Sequence, residues 1–362
     1  MPSDELILHS IEPTLVSLGE LSTNYNKALD DVPARRTFVS NDRHLKVSAD
    51  KLAEMWCIGP KRASATILAT TQKGIRSAIL PISRRYRADC IYHLKRLDGK
   101  FATDTFYPEF KSLNQNTCAQ VFSHKGGFAI CYPMPRASGD TIGQALRDFS
   151  HDYGVPSHLT FDGASAQVGK DTLFMRTIKQ YDIDYHVSGP RRPNENPAES
   201  TIHELKCWWY RIMIKQEIPK RLWDYALTWI CETNNLSVSS SHYAKGRTAV
   251  EYVTRETPDI SEYLDFSFYD LVTFRQNAGL GVTSLGRWLG VSHKVGQLMS
   301  YWVLPVSCKV ISCTTVQRLT NAEKATEEYK ERIAMFNQQM KERLDVNDAD
   351  ITPLAVEQLQ WN

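Results

Sequence analysis

The stretch from Leu159 to Lys206 sets the tightest limits on what this chain can fold into. It opens with the apolar run Leu159-Thr160-Phe161, ends on Asp162 and turns away at Gly163, the pattern of a buried strand that stops on an acid. A helical pattern over Thr172–Tyr181 and a short strand pattern over Asp184–Ser188 follow. The stretch closes with Pro193-Asn194-Glu195-Asn196-Pro197-Ala198-Glu199-Ser200, leading into a long helical pattern over 200–216 with Pro197 near its start. Glu199 stands 37 positions after Asp162, and a third acid, Asp104, lies upstream in Phe101-Ala102-Thr103-Asp104-Thr105-Phe106.

The flanks of this stretch predict the rest of the architecture. Residues 98–135 show three apolar or β-branched runs, at 100–106, 117–123 and 127–132, with Gly126-Gly127 supplying a turn; they read as a meander. An amphipathic helix begins at Gly139, with Asp140 as its expected cap, and a further helix runs through 222–234. The order β-β-β-α-β-α-β-α-α predicts an α/β domain over 98–258, a mixed five-stranded sheet with helices on both faces. Upstream, Leu52–Ile58 and Lys61–Thr71 read as two short helices separated by Gly59-Pro60, a helix-turn-helix-like unit within a 46–97 module that ends in a basic linker. Residues 1–45 lack periodicity and read as a partly disordered arm. Pro258 marks a boundary, and short strands with Gly, Ser and Pro between them over 266–320 predict a small β-barrel. Residues 321–362 read as a charged, solvent-exposed helix and tail.

An acid at the end of one strand can meet an acid on a neighbouring strand, and a helix docked across the sheet can bring a third. Three such carboxylates repel one another unless a cation neutralises them. Hard oxygen ligands suit Mg2+ or Mn2+, and two such ions stabilise the attacking and leaving oxygens of an in-line phosphoryl displacement. Charge points to the same partner. The formal net charge is only +2, yet between Lys61 and Lys100 ten Lys/Arg face two acids, Asp89 and Asp98, an asymmetry suited to a polyanion. The eight cysteines form no C-x-x-C pair and the histidines no tight metal spacing, so zinc is not expected. No transmembrane-length apolar run or basic signal-peptide flank is visible; the expected setting is intracellular and reducing.

The three acids in their contexts, Ala102-Thr103-Asp104-Thr105, Thr160-Phe161-Asp162-Gly163 and Pro197-Ala198-Glu199-Ser200, resemble the D…D…E motif of the integrases of LTR retrotransposons and retroviruses, most closely the copia-type elements. Downstream, Gly286-Arg287-Trp288-Leu289-Gly290 with Tyr301-Trp302-Val303-Leu304 is similar to the small SH3-like barrel of that family. The resemblance spans roughly 45–320. It implies a ribonuclease-H-like fold, Asp104, Asp162 and Glu199 as catalytic residues holding two Mg2+ or Mn2+ ions, and strand transfer of element DNA into target DNA. It also implies double-stranded DNA as partner, a homo-oligomer, and a nuclear site of action. The His-His-Cys-Cys zinc set of the family's amino-terminal domain has no counterpart here, where only His44 and Cys57 or Cys90 lie nearby, so that module is expected to be zinc-free.

On the helix opened by Glu199, His203 and Lys206 fall at i+4 and i+7 and share its face, where the family contacts the DNA end. Arg191 and Arg192 in the preceding loop, Arg84, Arg85 and Arg87 in the basic linker, and Lys61 and Arg62 at the second short helix are further candidates for phosphate contact. Trp208, Trp209, Trp288 and Trp302 read as core. Two other readings compete: a non-catalytic DNA-binding protein that keeps only the fold, and a ribonuclease-H-like nuclease. An inactive copy has no reason to retain a complete triad, and a plain nuclease needs neither basic module nor barrel.

Overall fold

The computed structural model describes residues 46–72, 95–169, 171–189, 196–275, 283–293 and 300–344. The arm at 1–45, Arg84, Arg85 and Arg87 of the basic linker, and Arg191 and Arg192 lie outside the described residues.

Five strands form the first sheet: β1 (Arg96–Phe106), β2 (Cys118–His124), β3 (Ala129–Met134), β4 (Val155–Asp162) and β5 (Asp184–Ser188). Their spatial order is β3-β2-β1-β4-β5. β1 runs antiparallel to β2, with Asp104 opposite Val121, and β2 antiparallel to β3. β4 runs parallel to both β1 and β5. An antiparallel meander continued by parallel strands through helical crossovers is the ribonuclease-H-like arrangement. β1 sits at the centre, and every residue of β2 is buried, as a strand covered on both faces requires.

Side-chain alternation along β1 and β4 assigns the two faces. Phe101 packs on Phe149 of α3 (Gly139–Asp152), ring centroids 5.6 Å apart, and Phe161 on Phe174 of α4 (Leu173–Gln180). Phe106, of opposite parity, packs on Trp209 of α5 (Pro197–Lys215) and on Trp223 of α6 (Trp223–Leu236). Asp104 and Asp162 therefore face α5. The cap of α3 is Ser138, not Asp140 as the sequence suggests. Its hydroxyl accepts from the Thr141 N–H and Thr141 bonds back in a capping box, which leaves Asp140 inside the first turn.

The two short helices exist, as α1 (Ala49–Trp56) and α2 (Pro60–Ala69), but they are built into the same core. The Trp56 indole donates to the Tyr263 carbonyl, and the Trp208 indole of α5 donates to the Trp56 carbonyl, both at 3.2 Å. Beyond α7 (Ala249–Thr254) comes a second sheet of β6 (Leu271–Phe274), β7 (Ser284–Val291), β8 (Tyr301–Pro305), β9 (Ile311–Cys313) and β10 (Val316–Arg318). It is antiparallel, in the order β10-β6-β7-β8-β9. A register shift between Trp288 and Val291 bends β7, and Phe266, Trp288 and Tyr301 meet in the concavity.

The terminal helices are α8 (Asn321–Ala325) and α9 (Glu327–Leu344). The terminal helix is exposed over most of its length, as the sequence leads one to expect, but one stripe of it is packed. Phe336, Met340 and Leu344 are buried, and their spacing of four draws one apolar stripe along an otherwise charged helix. Arg287 of β7 donates to Asn337, Arg332 to the Thr283 carbonyl, and Arg343 to the Val306 carbonyl, fastening α9 to the second sheet. Among the described residues, no helix is long and apolar enough to cross a membrane.

Candidate metal centre

Asp104 lies near the end of β1, Asp162 ends the adjacent parallel strand β4, and Glu199 stands in the first turn of α5. Each offers one carboxylate oxygen, and the three oxygens lie within 4.8 Å of one another. Among the described residues this is the one group of three or more acids, histidines or cysteines so placed. All three are half-buried.

Asn196 holds the arrangement together. It is 2% exposed and caps α5, its Oδ1 accepting from the Ala198 N–H at 3.1 Å. Its Nδ2 donates to Asp162 Oδ1 at 3.2 Å and to the Thr103 carbonyl at 3.3 Å. One amide thus ties the start of the Glu199 helix to both strands that carry the aspartates. Its signal was present in the sequence, an Asn directly before a helix-opening Pro, but its bond to Asp162 is a long-range contact that no local pattern shows. Beneath Asp104, Gln120 of β2 donates to Thr103 Oγ1 and accepts from Thr105 Oγ1, at 2.7 and 2.9 Å. This fully buried amide pins the strand on either side of the acid.

Electrostatics at the cluster are unbalanced. Burial pushes the Asp104 carboxyl up to about 6, and the charges of Asp162 and Glu199 push the same way; the Thr105 N–H, 2.7 Å from Asp104 Oδ1, and the Lys206 ammonium only partly offset them. Hard oxygen donors crowded together in a half-buried recess, with too little local positive charge, fit Mg2+ or Mn2+.

The other candidates separate. Lys206 is half-buried, with its ammonium 5.5 Å from the Phe106 ring centroid, close enough to favour the charged form of Asp104. His203 is exposed, its Nε2 lying 3.9 Å from Cys207 Sγ. Lys61 is exposed on α2. Arg62 does not reach outward, and its expected phosphate contact is corrected. Its guanidinium donates to the Val238 carbonyl and to Asn234 Oδ1, both at 3.0 Å, and lies 5.5 Å from the Trp208 ring centroid. That burial lowers its pKa to about 10. Two adjacent cations at a helix start look alike in sequence, but one of them faces the core. Trp208, Trp209 and Trp288 are buried, and Trp302 is half-buried. Sequence reasoning also passed over Tyr107, an exposed aromatic directly after β1.

Strand order and strand sense define a ribonuclease-H-like fold, and the acidic cluster at its strand ends is one that could hold a divalent metal ion. No protein-family model and no curated protein matches the chain. Among solved structures it is similar to the magnesium-bound catalytic core domain of HTLV-2 integrase, at 17% identity and TM-score 0.35, over 42% of this chain and 95% of that one. It is also similar to a chain of the simian T-cell lymphotropic virus intasome, at 17% identity and TM-score 0.39, over 75% and 99%. A third is the catalytic core domain of BIV integrase, at 15% and 0.34, over 43% and 93%. These superpositions are loose, and the fold class rests on the strand order and pairing given above.

Proposed function

We propose that this chain is a polynucleotidyl transferase of the integrase type, which joins the 3′ end of an element's DNA to a target duplex. The observation that carries this reading is the convergence of Asp104, Asp162 and Glu199 from two parallel strands and a docked helix. In it, the three carboxylates would hold two Mg2+ or Mn2+ ions, whose chemistry would be to stabilise the entering and departing oxygens of the phosphodiester exchange. Asn196 fixes the spacing of the acids, and Lys206 sets a cation beside them for the DNA end, with His203 between Glu199 and Lys206 on the same helix. Affinity for double-stranded DNA comes from dispersed cations, Lys61 and the linker residues Arg84, Arg85 and Arg87 among them, with Arg191 and Arg192 ahead of the helix. The finer reading is a retrotransposon enzyme of copia type, acting in the nucleus as a homo-oligomer.

Asp162→Asn tests it. Magnesium-dependent joining of a labelled 3′ end to a target duplex should be abolished while duplex affinity stays within about twofold, because the carboxylate serves the ions and affinity comes from counterion release. Replacing Arg84, Arg85 and Arg87 together should do the reverse, reducing the salt slope of binding by about 2–3 and leaving joining at saturating DNA. An Asp162→Asn protein that still joins strands rules out the site. Cleavage of RNA–DNA hybrids without joining would instead mark a nuclease, and DNA binding without either reaction a non-catalytic binder.

A further inference from the structure

A cavity of about 160 Å³ opens at the start of β1, the end of the strand away from Asp104. Gly99 on its wall precedes Asp104 by five positions, so the two ends stand roughly 17 Å apart at about 3.3 Å per strand residue. The cavity is walled by Lys95 and Arg96 from β1 and its approach, by Lys125 from the turn after β2, and by Arg255 from the end of α7. Asp98 is the one acid among the lining residues, and none of the four cations has a carboxylate partner among the described residues. Carbonyls hold two of them in place without neutralising them: Lys95 donates to Thr254 at 2.8 Å, and Arg96 to Tyr181 and Asp182 at 2.6 and 3.0 Å. Lys125 and Arg255 rest against aromatic rings, Tyr243 and Tyr252 respectively.

His124 gives the second, independent observation. It is 6% exposed and lines the cavity. Its Nδ1 accepts from the Gly126 N–H at 3.1 Å, which places the imidazole proton on Nε2. Nε2 is buried with no partner, and a buried donor without an acceptor is costly. The neighbour it faces is Gly99, at φ +102°, where an added Cβ would come to 2.6 Å from Nε2. Gly99 therefore leaves that edge of the imidazole uncrowded, since any side chain there would press on Nε2.

We propose that this cavity is a binding site for a phosphate group, held by Lys125 and Arg255 at the mouth, by Lys95 and Arg96 along the wall, and by the Nε2–H of His124 at the back. Four cations against one acid suit a multiply charged oxyanion better than a carboxylate. The cavity is smaller than the pockets that enclose drug-sized ligands, so it takes the phosphate itself and not the body of a nucleotide. The group belongs either to a small soluble phosphate ester or to the backbone of a duplex lying across the mouth.

The test uses the full chain in metal-free buffer, which keeps phosphate from being recruited through ions at the acidic cluster. Inorganic phosphate is titrated at constant ionic strength against a chloride control while the imidazole 15N resonances are followed. The His124 Nε2 resonance should move and saturate. The Lys125→Gln, Arg255→Gln double variant, both changes lying at the surface and checked for native circular dichroism, should bind phosphate at least tenfold more weakly. A His124 resonance that does not respond, or a double variant that binds phosphate as the parent does, overturns the site. A duplex that displaces the phosphate from His124 identifies a nucleic-acid backbone as its source; a duplex that leaves it bound identifies a small ester.

Discussion

The two ends of β1 make opposite demands. At one end three carboxylates converge within 4.8 Å of one another beside a single lysine. At the other, four cations surround a neutral, buried imidazole with one acid among them. Each end gathers side chains mostly of one charge, and between them lies the buried middle of the strand, with Phe101 and Ala102 in the core. The same backbone thus carries an acidic cluster at one end and a basic one at the other, because strand alternation lets the packing of the core proceed independently of what its ends carry.

The largest expected effect breaks the acidic end. Asp104→Asn should lower magnesium-dependent strand joining by about a thousandfold or more, since one ligand of the transition-state clamp is gone. It should also raise the metal-free melting temperature, because a buried, repelled charge disappears. A variant that loses activity and stability together would show that Asp104 acts mainly in packing.

The next effect sets the two ends against each other. In metal-free protein the Asp104 carboxyl is held at about 6 against an ordinary 3.8. The folded state therefore binds that proton more tightly than the unfolded chain, and stability falls as pH rises from about 4 to 6. Burial, aided by the Lys125 charge, lowers His124 to about 4 from 6.5. There the unfolded chain binds the proton more tightly, and stability rises over nearly the same interval. The two shifts are similar in size and opposite in effect, so in the native protein they largely cancel. Urea midpoints measured with chelator between pH 4 and 7 should then be steeper in the rising direction for Asp104→Asn and in the falling direction for His124→Gln. Equal slopes in parent and variants would refute the opposition.

A smaller effect probes how the acidic end is assembled. Asn196→Ala removes a helix cap, costing about 1–2 kcal/mol, and frees the spacing between Glu199 and Asp162. Joining activity should drop roughly ten- to a hundredfold, as expected for a constellation loosened by about an ångström, with partial recovery at high magnesium. Asn196→Asp should keep the cap but set a fourth carboxylate against Asp162, so that stability recovers further than activity. Chemical denaturation and a magnesium titration of the joining rate separate the two.

Much of this was legible in sequence, for a physical reason. Strand alternation and helix periodicity are local, so the meander, the bounds of β5 and the strand or helix on which each of Asp104, Asp162 and Glu199 sits followed from short windows, whereas their grouping rested on the resemblance of their contexts to the D…D…E motif. What escaped depends on partners far along the chain. Arg62 is turned inward by Asn234 and Val238, Gln120 is a buried brace set among apolar neighbours, and the stripe on α9 gains meaning only from the second sheet beneath it. His124, which ends β2 one residue past the run read from sequence, gives no local sign of its approach to Gly99.

The Asn196 side chain also orders events in time. Its contacts span 93 residues to Thr103 and 34 to Asp162, so a long loop must close before the amide can bond both strands. Local pieces such as the β2–β3 hairpin and α3 form well ahead of that closure. The three acids accordingly meet only after that loop has closed, so the emerging chain is spared their mutual repulsion until the strands that carry two of them are paired.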